Sequence, residues 1–189
     1  MASAAMNFPE HTSEKPIKLF FQDEGRFGRI NSIAKCWVPN GKRAIVGNQT
    51  IRQYTYVYTA VCPETGENYS LILPYANTES MNIFLDEISD EFKKYRIILT
   101  MDNAAWHDGK DLKKYDNIVP LFLPPYSPEL NPVEYIWHYV KDHYKFKNRT
   151  FKSMDEVINQ LGFAFGELNK NTEVVKSFSL YNWIYSALC

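Results

Sequence analysis

The stretch PPYSPELNPVEYIW, residues 124–137, holds four prolines and then runs into an aromatic segment with helical character. Prolines restrict φ before folding, so they stiffen the loop that enters this helix. Asn131 suits the N-cap and Pro132 the first helical position, which puts Glu134 at the third. This spacing favours a capping role for Glu134, worth about 1 kcal/mol. The alternative is that the rigid entry aims Glu134 at a functional site.

Bulk composition indicates one globular domain without an overall signal for nucleic acid. The 189 residues suit a single domain, and a hydrophobic content of 45% can fill a core. The net charge is −1 and the pI is about 6.4. Any binding of DNA must therefore rest on local patches or on metal ions.

The cysteines and the first residues argue against several classes of protein. Cys36, Cys62 and Cys189 are odd in number and lack metal-site spacing. We therefore expect neither a disulfide framework nor a zinc site, and a reducing compartment such as the cytoplasm. No apolar run is long enough to span a membrane. Residues 1–16 lack the pattern of a secretory signal and are predicted to be a flexible lead-in to a domain covering 17–189.

Hydrophobic periodicity predicts five strands and four helices. The strands are expected within residues 17–24, 51–62, 67–75, 96–102 and 117–125, and the helices within 77–95, 103–115, 131–146 and 153–170. Residues 25–47, rich in Gly, Asn and Pro, are expected to form hairpins and loops. The first three strands should be antiparallel neighbours, and helices then alternate with strands. This order predicts an α/β fold with a mixed five-stranded sheet flanked by helices.

Three carboxylates are candidates for a shared site. Asp23 ends the first predicted strand, Asp102 ends the fourth, and Glu134 opens a late helix. Adjacent strands would place the two aspartates together, and a helix packed across the sheet would bring Glu134 to the same edge. Three converging carboxylates repel one another, and a pair of Mg²⁺ ions would compensate that charge. Two such ions about 3.5–4 Å apart can activate an attacking oxygen and stabilise a leaving one in phosphoryl transfer.

Each of these acids also has a plainer interpretation. A single acid at a strand end is commonly only solvated, and Glu24 competes with Asp23 as the ligand. Asp102 is the more specific signal, because an apolar strand runs directly into Asp-Asn. For Glu134, spacing alone favours the cap.

Three blocks of sequence together resemble the signature of the DDE transposases. They are QDEGRFG at residues 22–28, MDNAAWH at 101–107 and the proline-rich stretch at 124–137. The likeness is to the mariner-like bacterial insertion-sequence branch, known as the DDE superfamily endonucleases, and it covers about residues 17–147. The resemblance implies a ribonuclease-H-like fold, which agrees with the order of elements.

The resemblance also implies an activity. Asp23, Asp102 and Glu134 fall on the family's metal ligands, so they are expected to be catalytic and to bind two Mg²⁺ ions, with Mn²⁺ as a substitute. The expected reaction is hydrolysis of phosphodiester bonds at transposon ends, followed by transfer of the freed 3′-hydroxyl strand into target DNA. Asn131 is then expected to cap the helix while Glu134 points to the site.

Further residues are expected to support this chemistry. Asn103 and His107 would orient Asp102, a water or the DNA, although His107 could simply open a helix. Trp137 and Tyr144 are expected in the core rather than stacked on bases. Basic residues that could contact phosphates, or else form a solvated face, are Lys42, Arg43, Lys141, Lys145, Lys147 and Arg149.

Partners and alternatives complete the expectations. Full-length relatives carry N-terminal helix-turn-helix modules, for which there is no room before residue 17, so recognition of transposon ends is expected from a separate or missing part. A homodimer is expected in the synaptic complex, and the protein would act at the bacterial nucleoid. Two other functions stay open: a nuclease or resolvase that only cuts, and an inactive remnant that binds DNA or a partner.

Overall fold

The computed structural model describes residues 7–104 and 111–188 and shows a five-stranded sheet covered by helices. The strands are β1 (Ile17–Ile30), β2 (Thr50–Val61), β3 (Asn68–Leu73), β4 (Arg96–Met101) and β5 (Ile118–Phe122). The helices are α1 (Thr78–Glu91), α2 (Val133–His143), α3 (Met154–Lys170), α4 (Thr172–Ser179) and α5 (Asn182–Leu188), with 3₁₀ turns at Glu10–Thr12 and Pro128–Leu130. The predicted α/β fold with a mixed sheet is confirmed.

The sheet has the order β3-β2-β1-β4-β5. β1 pairs antiparallel with β2, and β2 pairs antiparallel with β3. β1 pairs parallel with β4, and β4 pairs parallel with β5. α1 makes the crossover that a parallel pair requires, because it leads from the edge strand β3 back to β4 beside β1. The central strands β1 and β4 therefore run side by side in one direction.

Successive side chains of β1 pack into two separate cores, because side chains alternate between the two faces of a strand. Phe21 and Phe27 belong to the core formed with α2 and α3, which includes Trp137. Phe20 lies in the core on the other face, where Phe84 of α1 is fully buried. Each fully buried phenylalanine contributes roughly 1.5–3 kcal/mol. The central strand is thus fixed between two helical layers.

Two helices begin with side-chain N-caps. The Asn77 side chain accepts a hydrogen bond of 2.9 Å from the backbone of Ser80 at the start of α1. The Ser153 hydroxyl accepts one of 3.2 Å from the backbone of Glu156 at the start of α3. Such caps satisfy amides that have no partner inside the helix, and each stabilises the helix by about 1 kcal/mol.

The first strand is longer than predicted, which corrects the expectation of hairpins and loops directly after Glu24. β1 continues to Ile30 and stays paired with β2. Its two glycines are positions of close packing rather than turns. A Cβ on Gly25 would lie 2.9 Å from the Trp137 ring, and one on Gly28 would lie 2.2 Å from the Gln53 carbonyl oxygen. Asp23 consequently lies within β1 and not at its end.

Other differences concern the connections and the end of the chain. The link from β1 to β2 spans residues 31–49, so it is not a short turn. Residues 105–110 of the helix predicted at 103–115 lie outside the described residues, and 103–104 and 111–115 are not helical. The apolar, aromatic segment 177–189 lies at the end of the chain. Its described part includes α5, from which Ile184 is fully buried.

Residues before β1 contact the domain. Phe8 is buried, and the guanidinium carbon of Arg96 lies 5.6 Å from the centroid of its ring. The Arg96 Nε donates a hydrogen bond of 2.8 Å to the Lys15 carbonyl. The domain boundary at residue 16 stays a prediction. Within the described residues, no helix combines the length and the apolar character that crossing a membrane would need.

Candidate active site

A cavity of about 400 Å³ opens where β4 ends, between β1, the loop after β5 and the start of α2. Its lining consists of Asp23, Asp102, Asn103, Ala104, Leu123, Pro124, Pro125, Tyr126, Ser127, Pro128, Asn131 and Glu134. Five of the six residues predicted to be catalytic or supporting therefore lie at one cavity. The sixth, His107, lies outside the described residues.

The parallel pairing of β1 with β4 explains why the two aspartates meet. Phe21 of β1 is the register partner of Thr100 of β4, so Asp23 and Asp102 each lie two residues farther along neighbouring strands. Neighbouring strands are only about 4.8 Å apart. β4 ends at Met101, which opens the space beside β1 that becomes the cavity.

Asp23 is held by two hydrogen bonds. Its Oδ1 accepts one of 2.9 Å from the backbone of Glu24, and its Oδ2 accepts one of 3.0 Å from the indole Nε1 of Trp137. Burial raises the pKa of Asp23 to about 6, against the lowering effect of the Trp137 bond, and the nearby charges of Glu24 and Glu134 raise it further. The neighbouring Glu24 accepts a hydrogen bond of 3.0 Å from the Gln22 side chain and does not line the cavity.

The end of β4 is fixed by local hydrogen bonds. Asp102 Oδ1 accepts a hydrogen bond of 3.0 Å from the backbone of Ala104. Asn103 Nδ2 donates one of 2.9 Å to the Leu123 carbonyl just after β5. Asn103 thereby ties the segment after β4 to the loop that forms the opposite wall.

Asn131 connects α2 to the central strand. The residue is buried, and its Nδ2 donates a hydrogen bond of 2.9 Å to the Gln22 carbonyl of β1. Its Oδ1 accepts one of 3.2 Å from the backbone of Val133, so its side chain serves the start of α2 as well. The helix begins at Val133, which makes Pro132 and not Asn131 the flanking residue.

The capping box that the sequence permits is not formed. The backbone amide of Asn131 donates to the Pro128 carbonyl at 2.9 Å, so it is not available to the Glu134 carboxylate. Glu134 lines the cavity instead. Tyr126, in the same loop, has a φ of 58°, a left-handed conformation that costs a bulky residue about 1 kcal/mol or more.

The donor set suits a hard divalent cation. Three carboxylates line the cavity. Carboxylate oxygens are ligands that Mg²⁺ and Mn²⁺ prefer. Across residues 7–104 and 111–188, however, no three or more acidic, histidine or cysteine side chains are already close enough to form a metal site. To hold one ion together, the three carboxylates would have to approach one another more closely than they do here.

Trp137 is the residue whose contribution the sequence did not reveal. It was expected in the core, and it is buried there, edge-on to Phe27 with ring centroids 5.9 Å apart. Its indole also reaches Asp23. The available signal was its position one helical turn after Glu134, which puts both side chains on related faces of α2.

The predicted phosphate-binding residues do not line the cavity. Lys147 forms an ion pair with Asp142, and Arg149 forms one of 2.8 Å with Glu156. The Lys141 ammonium lies 5.5 Å from the centroid of the Phe27 ring. The remaining three are exposed: Lys42 and Arg43 in the connection from β1 to β2, and Lys145 just after α2.

Solved structures of Mos1 transposase share this fold. The Mos1 mariner paired end complex with Mn aligns with a TM-score of 0.62 at 18% identity, covering 89% of this chain and 55% of the Mos1 chain. A pre-cleavage Mos1 transpososome aligns with a TM-score of 0.60 at 16% identity, covering 87% of this chain and 56% of that one. The chain thus spans little more than half of the Mos1 length. The fold is ribonuclease-H-like, as predicted.

Sequence comparison identifies the family. The family model of the DDE superfamily endonucleases matches residues 18–158 of the sequence, and the chain belongs to this family. The uncharacterized protein y4pE/y4sA of Sinorhizobium fredii is 38% identical over 133 residues, which cover 70% of this chain and 98% of the relative. The predicted resemblance to the DDE superfamily endonucleases is confirmed.

Proposed function

We propose that this protein is the catalytic domain of a DNA transposase, which hydrolyses phosphodiester bonds at transposon ends and joins the freed 3′-hydroxyl strand to target DNA. The observation that carries the proposal is that Asp23, Asp102 and Glu134, from three separate elements, line one cavity. Membership of the DDE superfamily endonucleases and the fold of Mos1 transposase support it.

In this proposal the three carboxylates hold divalent metal, two Mg²⁺ ions with Mn²⁺ as a substitute. Bound ions would lower the barrier to in-line displacement at phosphorus by stabilising charge on the attacking and leaving oxygens. Asp23 must be ionised to act as a ligand, and the Trp137 indole favours that form by donating to it. No covalent bond between protein and DNA is required.

The remaining residues of the site position these carboxylates. Asn131 links the start of α2 to β1 beside Asp23, so it holds Glu134 at a fixed place relative to the strand. Asn103 fixes the segment that follows Asp102. We assign to His107 the orientation of Asp102 or of a water.

The proposal extends to partners and place of action. Transposon ends and target DNA are the substrates, recognition of the ends belongs to a separate helix-turn-helix part, and two copies act together in a synaptic complex in the bacterial cytoplasm. Basic side chains assigned to phosphate contacts are Lys42, Arg43, Lys141, Lys145, Lys147 and Arg149. Those with an acidic partner, Lys147 and Arg149, must exchange it for a phosphate.

The test is nicking of supercoiled plasmid in Mg²⁺ or Mn²⁺ by the wild type and by Asp102→Asn and Glu134→Gln. Both substitutions keep side-chain size, and loss of a metal ligand should slow nicking by about 100-fold or more. Glu129→Gln is the matched control, because Glu129 is exposed in the same loop and does not line the cavity.

Calorimetry with Mn²⁺ separates the possible failures. Metal binding that both substitutions weaken, together with nicking, supports the proposal. Joining of a 3′-hydroxyl oligonucleotide distinguishes a transposase from a nuclease that only cuts. A folded wild type that neither binds Mn²⁺ nor nicks DNA would refute the catalytic assignment.

A further inference from the structure

Two grooves lie side by side at the end of the β1–β2 pair beyond Asp23. Their volumes are about 550 and 500 Å³, and they share three lining residues, Arg52, Gln53 and Tyr54. One groove continues toward the start of α1 at Tyr75, and the other continues along β1 at Arg26. Together they form one track, here called the arginine–tyrosine track.

The arginine–tyrosine track carries positive charge that the protein does not balance. Neither groove has an aspartate or glutamate in its described lining. Arg26 and Arg52 are exposed, and neither forms an ion pair with any residue in 7–104 or 111–188. This differs from Lys147 and Arg149, which have acidic partners. In a chain whose net charge is −1, two unpaired guanidinium groups along one track favour an anionic ligand.

The track also presents flat aromatic surfaces. Tyr54 is 48% exposed and Tyr75 is 65% exposed, although tyrosine rings of this size are usually more buried. The Arg26 guanidinium carbon lies 5.2 Å from the centroid of the Tyr54 ring, and Tyr56 meets the same ring edge-on at 5.9 Å. These contacts order the side chains in advance, which lowers the cost of binding.

Gly28 shapes the floor of the track. A Cβ at this position would lie 2.2 Å from the Gln53 carbonyl oxygen and 2.8 Å from Tyr54 Cβ. The absence of a side chain lets β1 and β2 approach closely here. Gln53 accepts a hydrogen bond of 2.8 Å from Arg29, which fixes the side chain at the middle of the track.

The track lies within reach of a strand that occupies the candidate active site. Arg26 follows Asp23 by three residues on β1, about 10 Å along the strand, and this odd separation places the two side chains on opposite faces of the sheet. Because β4 ends at Met101, a DNA strand that leaves the cavity would reach Arg26 and Tyr54 by crossing the edge of β1 beyond Asp23.

We propose that the arginine–tyrosine track binds single-stranded DNA, with Arg26 and Arg52 on phosphates and Tyr54 and Tyr75 stacked on unpaired bases. The inference rests on the proposed function for the identity of the ligand as DNA. Proteins that bind single-stranded nucleic acid combine exposed aromatic rings with basic side chains, because every base offers a flat face for stacking. A duplex keeps its bases stacked on one another and cannot use the tyrosines in this way.

The test is fluorescence anisotropy in EDTA with a fluorescein-labelled single strand of about 20 nucleotides, longer than one binding site, and with the matching duplex. The absence of metal separates binding from cleavage. The double variant Arg26→Ala/Arg52→Ala should weaken single-strand binding about 10-fold or more and reduce the salt dependence by about 1 in log–log slope. Tyr54→Ala should weaken it about 5- to 100-fold, and Tyr54→Phe, which keeps the ring, should bind like the wild type.

Lys93→Ala is the control for charge. Lys93 is exposed and follows the C-terminal end of α1, which is the end away from the track. Its loss should leave the affinity for the single strand unchanged within about twofold. Wild-type affinity in the arginine variant, or preference for the duplex with no effect of Tyr54→Ala, would overturn the proposal. Plasmid nicking that persists in that case would leave the proposed function standing. Track-dependent binding without any nicking would support the track and count against the catalytic assignment.

Discussion

The indole Nε1 of Trp137 donates a hydrogen bond of 3.0 Å to Oδ2 of Asp23, 114 positions away in the sequence. The bond joins α2 directly to β1. Trp137 follows Glu134 by about one turn of the helix, so one element supplies a carboxylate and holds another in place. The bond also opposes the effect of burial, which raises the pKa of Asp23.

Replacing Trp137 with phenylalanine should raise the pKa of Asp23 above its wild-type value of about 6, because the hydrogen bond that favours the charged form is lost. Plasmid nicking should slow by about 10-fold, and the free energy of unfolding should fall by about 1–3 kcal/mol. A ¹³C NMR titration of the labelled carboxyl groups in EDTA measures the pKa directly.

The control for this substitution is Trp183→Phe. Trp183 is 42% exposed and packs edge-on against Phe21 with centroids 6.0 Å apart. It should leave the Asp23 titration unchanged. An identical Asp23 pKa in Trp137→Phe and wild type would contradict the positioning role of the indole.

The stability of the protein without metal should fall as the pH rises from about 4 to about 6. The pKa of Asp23 is raised from 3.8 to about 6, so the native state binds the proton more tightly than the unfolded state does. The contribution of Asp23 is therefore favourable at low pH and is lost as the pH rises through the native pKa, by at most about 3 kcal/mol. Urea denaturation in EDTA across this range measures it.

Asp23→Asn should make that pH dependence shallower, because the titrating group is gone. Asp90→Asn is the matched control, since the Asp90 side chain is 82% exposed on α1, and it should keep the wild-type slope. If Asp23→Asn and wild type lose stability equally between about pH 4 and pH 6, Asp23 is not the group responsible.

Asn131→Ala should lower the free energy of unfolding by about 2–4 kcal/mol, because it removes two hydrogen bonds of a buried side chain. Nicking should also fall, since the start of α2 is no longer tied to the Gln22 carbonyl. Asn131→Asp should also lower stability and nicking, because a carboxylate cannot donate a hydrogen bond to the Gln22 carbonyl. Urea denaturation and the plasmid assay report the two effects.

The comparison for Asn131 is Asn171→Ala. Asn171 is exposed, and its amide donates 2.7 Å to the Glu167 carbonyl of the preceding helix. Its loss should cost less than about 1 kcal/mol and leave nicking intact. Equal behaviour of the two variants would argue against a link between α2 and β1 through Asn131.

Gly25→Ala should destabilise the protein by about 1–3 kcal/mol and slow nicking, because the new methyl group would lie 2.9 Å from Trp137 and Phe27. Displacement of the indole would lengthen its bond to Asp23. Gly162→Ala makes the same chemical change on α3, where nothing lies within 4 Å of the added atom. That variant should gain about 0.5–1 kcal/mol from helix propensity. Thermal unfolding of the two variants tests the contrast, and equal shifts would contradict it.

The layout of the sheet could be predicted because apolar runs mark buried strands regardless of their partners. The apolar run that ends at Asp102 is one such strand. A helix precedes it in the chain, and this favours parallel pairing with the strand of Asp23. The grouping of Asp23, Asp102 and Glu134 at one cavity follows from that topology. Their roles as metal ligands stay a prediction.

The parts that could not be predicted depend on contacts between distant residues. Gly25 and Gly28 look like turn residues in the sequence, yet they lie within β1 because neighbouring groups leave no room for a side chain. The partner of the Trp137 indole and the bond from Asn131 to Gln22 are equally invisible without the fold. Local spacing predicted that Glu134 would cap its own helix, but the amide of Asn131 is already bound to Pro128.

The hydrogen bond between Asn131 and Gln22 spans 109 positions, so the candidate active site is assembled from both ends of the domain. When all five strands have been translated, the chain contains Asp23 and Asp102. It does not yet contain Glu134 or the side chains that anchor its helix. An incomplete chain therefore cannot present the full set of acids. Under the proposed function, the order of synthesis itself would delay cleavage of DNA until Glu134 and the side chains that anchor its helix have been made.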